Sequence, residues 1–271
     1  MGFIFYLCYI LVTMLIDSHC HLIHKNYDIP LEQILSEAKE NDIDKFITIG
    51  TSIKENLIAI QTADKIKDVY CSVGIYPHEE RDVEIEKLRD SLRENLEKSK
   101  KIIAIGECGI DITNWEKQRS VEDQIKLFEM QIEIAKENSL PIIIHNRNGD
   151  TQVLALLEKH SDSDLRGVIH CFDSNWEFAK KVLDLGFYIS FSNLISYPKK
   201  DAVLEVVKNI PMDRFLVETD APYLPPQSLR GKINYPKYVR IVAEKVAQVK
   251  QKTFEEVSRA SYENTCKLFN I

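Results

Sequence analysis

The sequence predicts an α/β fold: a barrel of eight parallel strands, each followed by a helix. Three observations carry the prediction. Eight short apolar runs recur along the chain, and amphipathic stretches of helical spacing separate them. The middles of the runs are almost free of charge, as expected of parallel strands covered by helices. Nearly every run ends on an acid, a histidine or a glycine. Eight such units close into a (β/α)8 TIM barrel, whose chemistry lies at the C-terminal ends of its strands.

In order, Met14-Leu15-Ile16 opens the first strand and runs into Asp17-Ser18-His19-Cys20-His21. Leu31 to Glu40 carries apolar residues at 31, 34, 35 and 38, which is helical spacing. Lys45–Gly50 reads as the second strand, 54–67 as a helix, and Val69–Ile75 as the third strand. A charged helix with Ile85, Leu88, Leu92 and Leu96 on one face follows. Ile102–Gly106 is the fourth strand and meets Glu107, with a loop expected over 109–116. Val121, Ile125, Phe128, Ile132 and Ala135 form the buried stripe of the next helix. Pro141–Ile144 ends at His145, Gly167–Ile169 at His170, and Phe215–Thr219 at Asp220. Phe187–Phe191 supplies the seventh strand. Helices are expected around 154–159, at 178–185 and 203–207, then at 236–249 and 253–268. No linker or repeat divides 14–271, which reads as one domain.

Gly2–Val12 is almost wholly apolar. It is short for a membrane span and lacks a basic flank and a small-residue cleavage site. Residues 1–13 are therefore expected to be an extension upstream of a natural start at Met14, or a small appended segment, rather than a membrane anchor. The six cysteines show no CxxC or finger spacing, which fits reduced thiols in a cytoplasmic enzyme. A net charge of -7 argues against a broad basic surface for coating nucleic acid, but leaves room for a local cationic groove or a site charged by bound metal.

His19 and His21 are two apart, so in a strand both project toward one point. Alone this is weak evidence for a metal site. Glu107, His145, His170 and Asp220 also fall at strand ends, where scattered surface residues would not all fall. Four imidazoles and two carboxylates exceed the needs of one tetrahedral ion and suit two divalent ions. Glu107 is the natural bridge, one oxygen to each, and Asp220 is suited to orient a water or take its proton. The mixed ligands admit Mg, Mn, Zn, Ni or Co.

At this point the chain resembles the TatD family of metal-dependent hydrolases, within the amidohydrolase-like superfamily. The matching segments are Ile16–Leu22, Val73–His78, Ala104–Asp111, Pro141–Arg147, Ile169–Phe172, Gly186–Ser192 and Glu218–Leu224, continued by Arg230-Gly231-Lys232 and Asn234. The resemblance runs from Met14 to the C-terminus. It implies phosphodiester hydrolysis: a deoxyribonuclease or 3'–5' exonuclease on DNA ends, with RNA also admitted. It also implies that His19, His21, Glu107, His145, His170 and Asp220 bind two divalent ions. The chain departs from the family pattern at Tyr76, where His is common, at Tyr235, where an acid is usual, and at Asp173-Ser174 in place of Ser-Gly. All six ligands are kept, so the departures bear on substrate choice.

Around the ligands, Arg147 is expected to clamp a phosphate, against the alternative of a salt bridge to Asp173 or Asp150. Arg230 and Lys232 are candidates to grip the phosphodiester backbone, or plain solvated charges. Tyr223 is a candidate to stack a base, or to pack beside Pro222. His78 is a candidate to contact substrate or donate to a leaving group, or a loop histidine. Cys20, Cys108 and Cys171 follow ligands and are expected to face the helix layer as small apolar groups rather than to bind zinc. Asp17 is expected to make a structural hydrogen bond. Two further readings stay open: a two-metal hydrolase of a small-molecule amide or ester, and a non-enzymatic binding role. Neither a membrane nor an obligate protein partner is expected. No Walker loop and no Gly-x-Ser-x-Gly elbow occurs.

Overall fold

The computed structural model describes residues 14–23, 25–114, 117–161 and 165–271. The expected extension at 1–13, with Cys8, and His24 lie outside them. Eight strands form one sheet in chain order: β1 (Leu15–Cys20), β2 (Ile43–Ile49), β3 (Val69–Val73), β4 (Ile102–Asp111), β5 (Ile142–Arg147), β6 (Gly167–Ile169), β7 (Tyr188–Phe191) and β8 (Phe215–Val217). All neighbouring pairs are parallel. The seam between the first and last strands closes through a Cys20–Ala221 bridge, with the Asp220 amide donating to His19 O at 2.9 Å and the His21 amide to Ala221 O at 2.7 Å. The TIM-barrel expectation holds, and this seam sets His19, His21 and Asp220 side by side.

Helices α1 (Leu31–Lys39), α2 (Ile53–Lys65), α3 (Ile85–Leu96), α4 (Val121–Glu137), α5 (Asp150–Lys159), α6 (Trp176–Asp184), α7 (Asp201–Asn209), α8 (Val239–Lys250) and α9 (Phe254–Phe269) accompany the strands. Several starts are fixed by side-chain caps. Ser52, Ser120 and Asn175 accept backbone amides of α2, α4 and α6. Thr253 and Glu256 form a reciprocal capping box on α9. Among the described residues no helix is long and apolar enough to cross a membrane.

Two apolar layers result. The larger lies between strands and helices and includes Phe46, Val73, Ile105, Phe128, Ile144, Val206 and Val246. The smaller fills the barrel with Ile47, Ile49, Ile103, Ile143, Val168, Tyr188 and Leu216, joined by Leu268 and Phe269 of α9. Helix α9 crosses the N-terminal ends of the strands. Its Ser258 hydroxyl donates to Met14 O, and its Asn264 amide to Met212 O and Phe215 O.

The sequence reading errs mainly at strand ends. The loop expected over 109–116 begins later, because Gly109, Ile110 and Asp111 stay paired with His145, Asn146 and Arg147. Likewise β5 continues past His145 to Arg147, whereas β3 and β8 stop at Val73 and Val217.

Candidate metal centre

Beta-bulges aim the ligands. In β4 the pairing advances from Ile105 to Cys108 while β5 advances only from Ile142 to Ile144. The extra residue reverses the strand's alternation, so Ile105 and Cys108 both face the helix layer and Glu107 turns into the barrel. Gly106 makes this possible: its φ is +134°, and a Cβ there would lie 2.4 Å from Ile143 O. A similar shift in β1, Asp17 to Cys20 against Phe46 to Thr48, faces His19 and His21 inward and leaves Asp17 and Cys20 outside.

The six predicted ligands come together around Glu107. Its Oε2 lies 3.5 Å from His19 Nε2 and 3.8 Å from His21 Nε2. Asp220 Oδ1 is 3.6 Å and 3.4 Å from the same two nitrogens. Its Oε1 faces the other way, 2.9 Å from His145 Nδ1 and 3.0 Å from His170 Nε2, which are 3.2 Å from each other. The His19 and His170 rings stack at 3.9 Å. Two groups are compact enough to hold a cation, His19 with Glu107 and His170 and His19 with His21 and Asp220, and Glu107 lies between the His19–His21 and His145–His170 pairs.

Their fit to cations can be tested on spacing. Metal–ligand bonds of about 2.1 Å put tetrahedral ligand atoms roughly 3.4 Å apart. The carboxylate-to-histidine distances among Glu107, Asp220, His19 and His21 are 3.4–3.8 Å. The atoms of Glu107, His145 and His170 are closer, at 2.9–3.2 Å, so a cation there would have to spread them slightly. Both nitrogens of His19 are buried without a hydrogen bond, a costly arrangement unless something else binds them. The residues fit two divalent ions.

Electrostatics agree. Burial works to raise the Glu107 carboxyl, yet His170 beside it, hydrogen bonds from His145 and His170, and the nearby His19 ring hold it well below the usual range. Burial is likewise overcome at Asp220, where His21, His19 and His170 keep the carboxyl low. His19 is lowered by burial and by neighbouring His170. Against burial, Asp220 raises His21, Asp111 and Glu107 raise His145, and Glu107 and Glu218 raise His170 well above its ordinary value.

Sequence reasoning gave no role to two acids that hold the histidines. Asp111 Oδ2 is 3.3 Å from His145 Nε2, and Glu218 Oε1 is 3.3 Å from His170 Nδ1. Two glutamines of α4 hold the strand ends themselves. Gln124 pairs with the backbone N–H and C=O of Asp111, and Gln131 with those of Ile75. Spaced seven apart on one helical face, both read as polar interruptions of an apolar stripe.

The remaining candidates are more dispersed. Tyr223 is 45% exposed, with its ring edge-on to His21 at 5.6 Å. His78 is buried, its Nδ1 accepting the Arg119 amide at 3.2 Å. Arg147 is exposed and makes no ion pair among the described residues. The partners weighed for it are engaged elsewhere: Asp173 with Lys200 at 2.6 Å, Asp150 with Asn146 at 2.6 Å. Arg230 is exposed and lies over the Tyr197 ring, and Lys232 is exposed nearby in sequence. Cys20 and Cys108 point into the helix layer as expected, their thiols facing Ile47 O and Ile143 O. Cys171 is half-buried against Ser192. Asp17 accepts the Thr219 amide at 2.9 Å and hydroxyl at 2.5 Å.

Comparison with known proteins gives one consistent result. The family model described as TatD related DNase matches residues 16–270. An uncharacterized metal-dependent hydrolase of Bacillus subtilis, YabD, is 36% identical over 95% of this chain and 100% of its own length. YcfH of Escherichia coli K12, also described as an uncharacterized metal-dependent hydrolase, is 34% identical over 95% of this chain and 96% of its own length. The crystal structure of the TatD homologue YjjV from Escherichia coli K12 superposes with a TM-score of 0.89 at 26% identity, covering 96% of this chain and 99% of that one.

Proposed function

The chain belongs to the TatD family of metal-dependent hydrolases, within the amidohydrolase-like superfamily, and on that premise we propose that it hydrolyses phosphodiester bonds at DNA ends as a 3'–5' exonuclease. One observation carries the reading: the two oxygens of Glu107 face two pairs of histidines, His19 with His21 and His145 with His170. His19, His21 and Asp220 would hold one divalent cation and His145 with His170 the other, Glu107 serving both. Such a pair, when bound, lowers the pKa of a shared water and stabilises the attacking and leaving oxygens of a displacement. The donor set of nitrogen and oxygen suits Mg, Mn, Zn, Ni or Co.

Asp220, whose carboxyl the surrounding histidines keep low, would orient the attacking water or take its proton. Exposed Arg147 follows the ligand His145 on the same strand, and its fork of donors suits a phosphate. Arg230 and Lys232 would contact the nucleic-acid backbone farther out, Tyr223 would stack on a terminal base, and His78 would contact substrate or donate to the leaving group. The free thiols of Cys20, Cys71 and Cys108 suit a reducing compartment, which supports a cytoplasmic location.

The test is degradation of end-labelled single-stranded DNA, with an RNA arm, across Mg2+, Mn2+ and Zn2+. Chelator and Glu107→Ala are the controls. Stepwise shortening that needs both cation and Glu107 is expected. Absence of cleavage under every cation would contradict the reading and transfer the two-cation centre to a small-molecule ester or amide.

A further inference from the structure

Asp111 is buried on the inward face of β4, between Tyr76 and His145. Its Oδ2 accepts the Tyr76 hydroxyl at 2.7 Å and lies 3.3 Å from His145 Nε2. Its Oδ1 accepts the Thr113 amide at 2.9 Å and the Thr113 hydroxyl at 2.5 Å. A carboxylate gathering these donors acts as an acceptor, so the hydrogen between it and His145 belongs to Nε2. Once a cation displaces the other proton, the neutral imidazole keeps its lone pair on Nδ1, the atom 2.9 Å from Glu107 Oε1. His170 is held in the opposite sense. Glu218 Oε1 faces Nδ1 at 3.3 Å, which leaves Nε2 toward Glu107 at 3.0 Å. The two carboxylates turn the two lone pairs to one point.

We propose that Asp111, oriented by Tyr76 and Thr113, is a positioning residue that fixes the His145 tautomer presenting Nδ1 to the second cation, and thereby sets that cation's affinity separately from the first. The proposal rests on the two-cation reading above. It gives Tyr76, where the family commonly has His, a role in tuning one cation of the pair.

Asp111→Asn provides the test. The Thr113 amide can only donate, so the Asn oxygen stays on that side and the amide NH2 turns to His145. His145 Nε2 must then accept, and its proton moves to Nδ1, the ligand atom. Calorimetric titration with Mn2+ should find two cations in the parent protein. In the variant the first is held within about twofold and the second is weakened roughly 10–100-fold. Histidine 15N NMR of the Zn2+-loaded protein should show an Nε2–H at His145 in the parent, and an Nδ1–H in the variant, where the second cation is weakened. Tyr76→Phe removes one hydrogen bond. It should keep the tautomer and weaken the second cation by roughly two- to tenfold.

Unchanged second-cation affinity in Asp111→Asn, or an Nε2–H retained there, overturns the proposal. If that variant does not fold, Tyr76→Phe decides, and an unchanged second affinity overturns it. A parent protein that binds fewer than two cations refutes the two-cation reading instead. The parent's stoichiometry distinguishes the cases, because it is measured before any variant is compared.

Discussion

At the N-terminal end of the barrel, Leu268 and Phe269 of α9 pack against Ile103, Ile143, Val168 and Leu216. At the C-terminal end, His19, His21, Glu107 and His170 are buried within a few ångströms of one another, with His145 and Asp220 beside them. The floor gains stability by removing apolar surface from water. The mouth carries the opposite term, since burying charged groups is unfavourable unless they are closely paired. A barrel separates the two along its strands, so the floor can offset a mouth arranged for chemistry.

That contrast is broken most severely at Glu107. Glu107→Ala should reduce cation-dependent turnover at least about 10³-fold. Its melting temperature should stay near the parent's, because the histidines left without their carboxylate can lose their protons and remain buried as neutral rings. Calorimetry beside a nuclease assay checks both. At the floor the effects should invert. Phe269→Ala, at a site 3% exposed, should cost about 3–5 kcal/mol of stability by denaturant titration while leaving turnover per folded molecule intact. A floor variant that lost cations, or a Glu107 variant that unfolded, would join the two ends energetically.

Acid sharpens the contrast from the mouth. Burial lowers His21, His145 and His170, yet Asp220, Asp111 and Glu107 with Glu218 outweigh it and raise all three. A raised histidine keeps its proton to higher pH, and a cation must displace that proton to bind. Cation affinity should therefore fall as pH falls through the raised range, by about tenfold per pH unit for each proton displaced. Calorimetry in buffers of different ionisation enthalpy counts those protons, and chelation should reverse the release. The smallest effect belongs to α9. Thr253→Ala removes the capping box and should cost about 1 kcal/mol, a shift of about 2–4 °C in melting temperature, with cation binding unchanged.

How much of this was legible follows from the same geometry. His19, His145, His170 and Asp220 could be read because each follows an apolar run, and a barrel puts run ends at the mouth. Glu107 was legible by position, but not its aim: the bulge at Gly106 that turns it inward leaves no trace except a glycine. Asp111 was placed in a loop because Gly109 interrupts an apolar pattern. The strand continues there, and a Cβ at residue 109 would lie 2.0 Å from His145 O. Gln124 and Gln131 were illegible for another reason. Their partners are backbone groups of other strands, which no helical period can announce. Arg147, Arg230 and Lys232 are exposed and, among the described residues, share no contact that would mark a common phosphate site, so their grouping rests on the proposed substrate.

The most direct test of the account is electron paramagnetic resonance of the protein loaded with Mn2+, at measured metal stoichiometry. Two ions per chain and an exchange-coupled spectrum are expected, replaced by isolated-ion signals in Glu107→Gln. A single ion, or two uncoupled ions in the parent protein, would contradict the bridge on which the account depends.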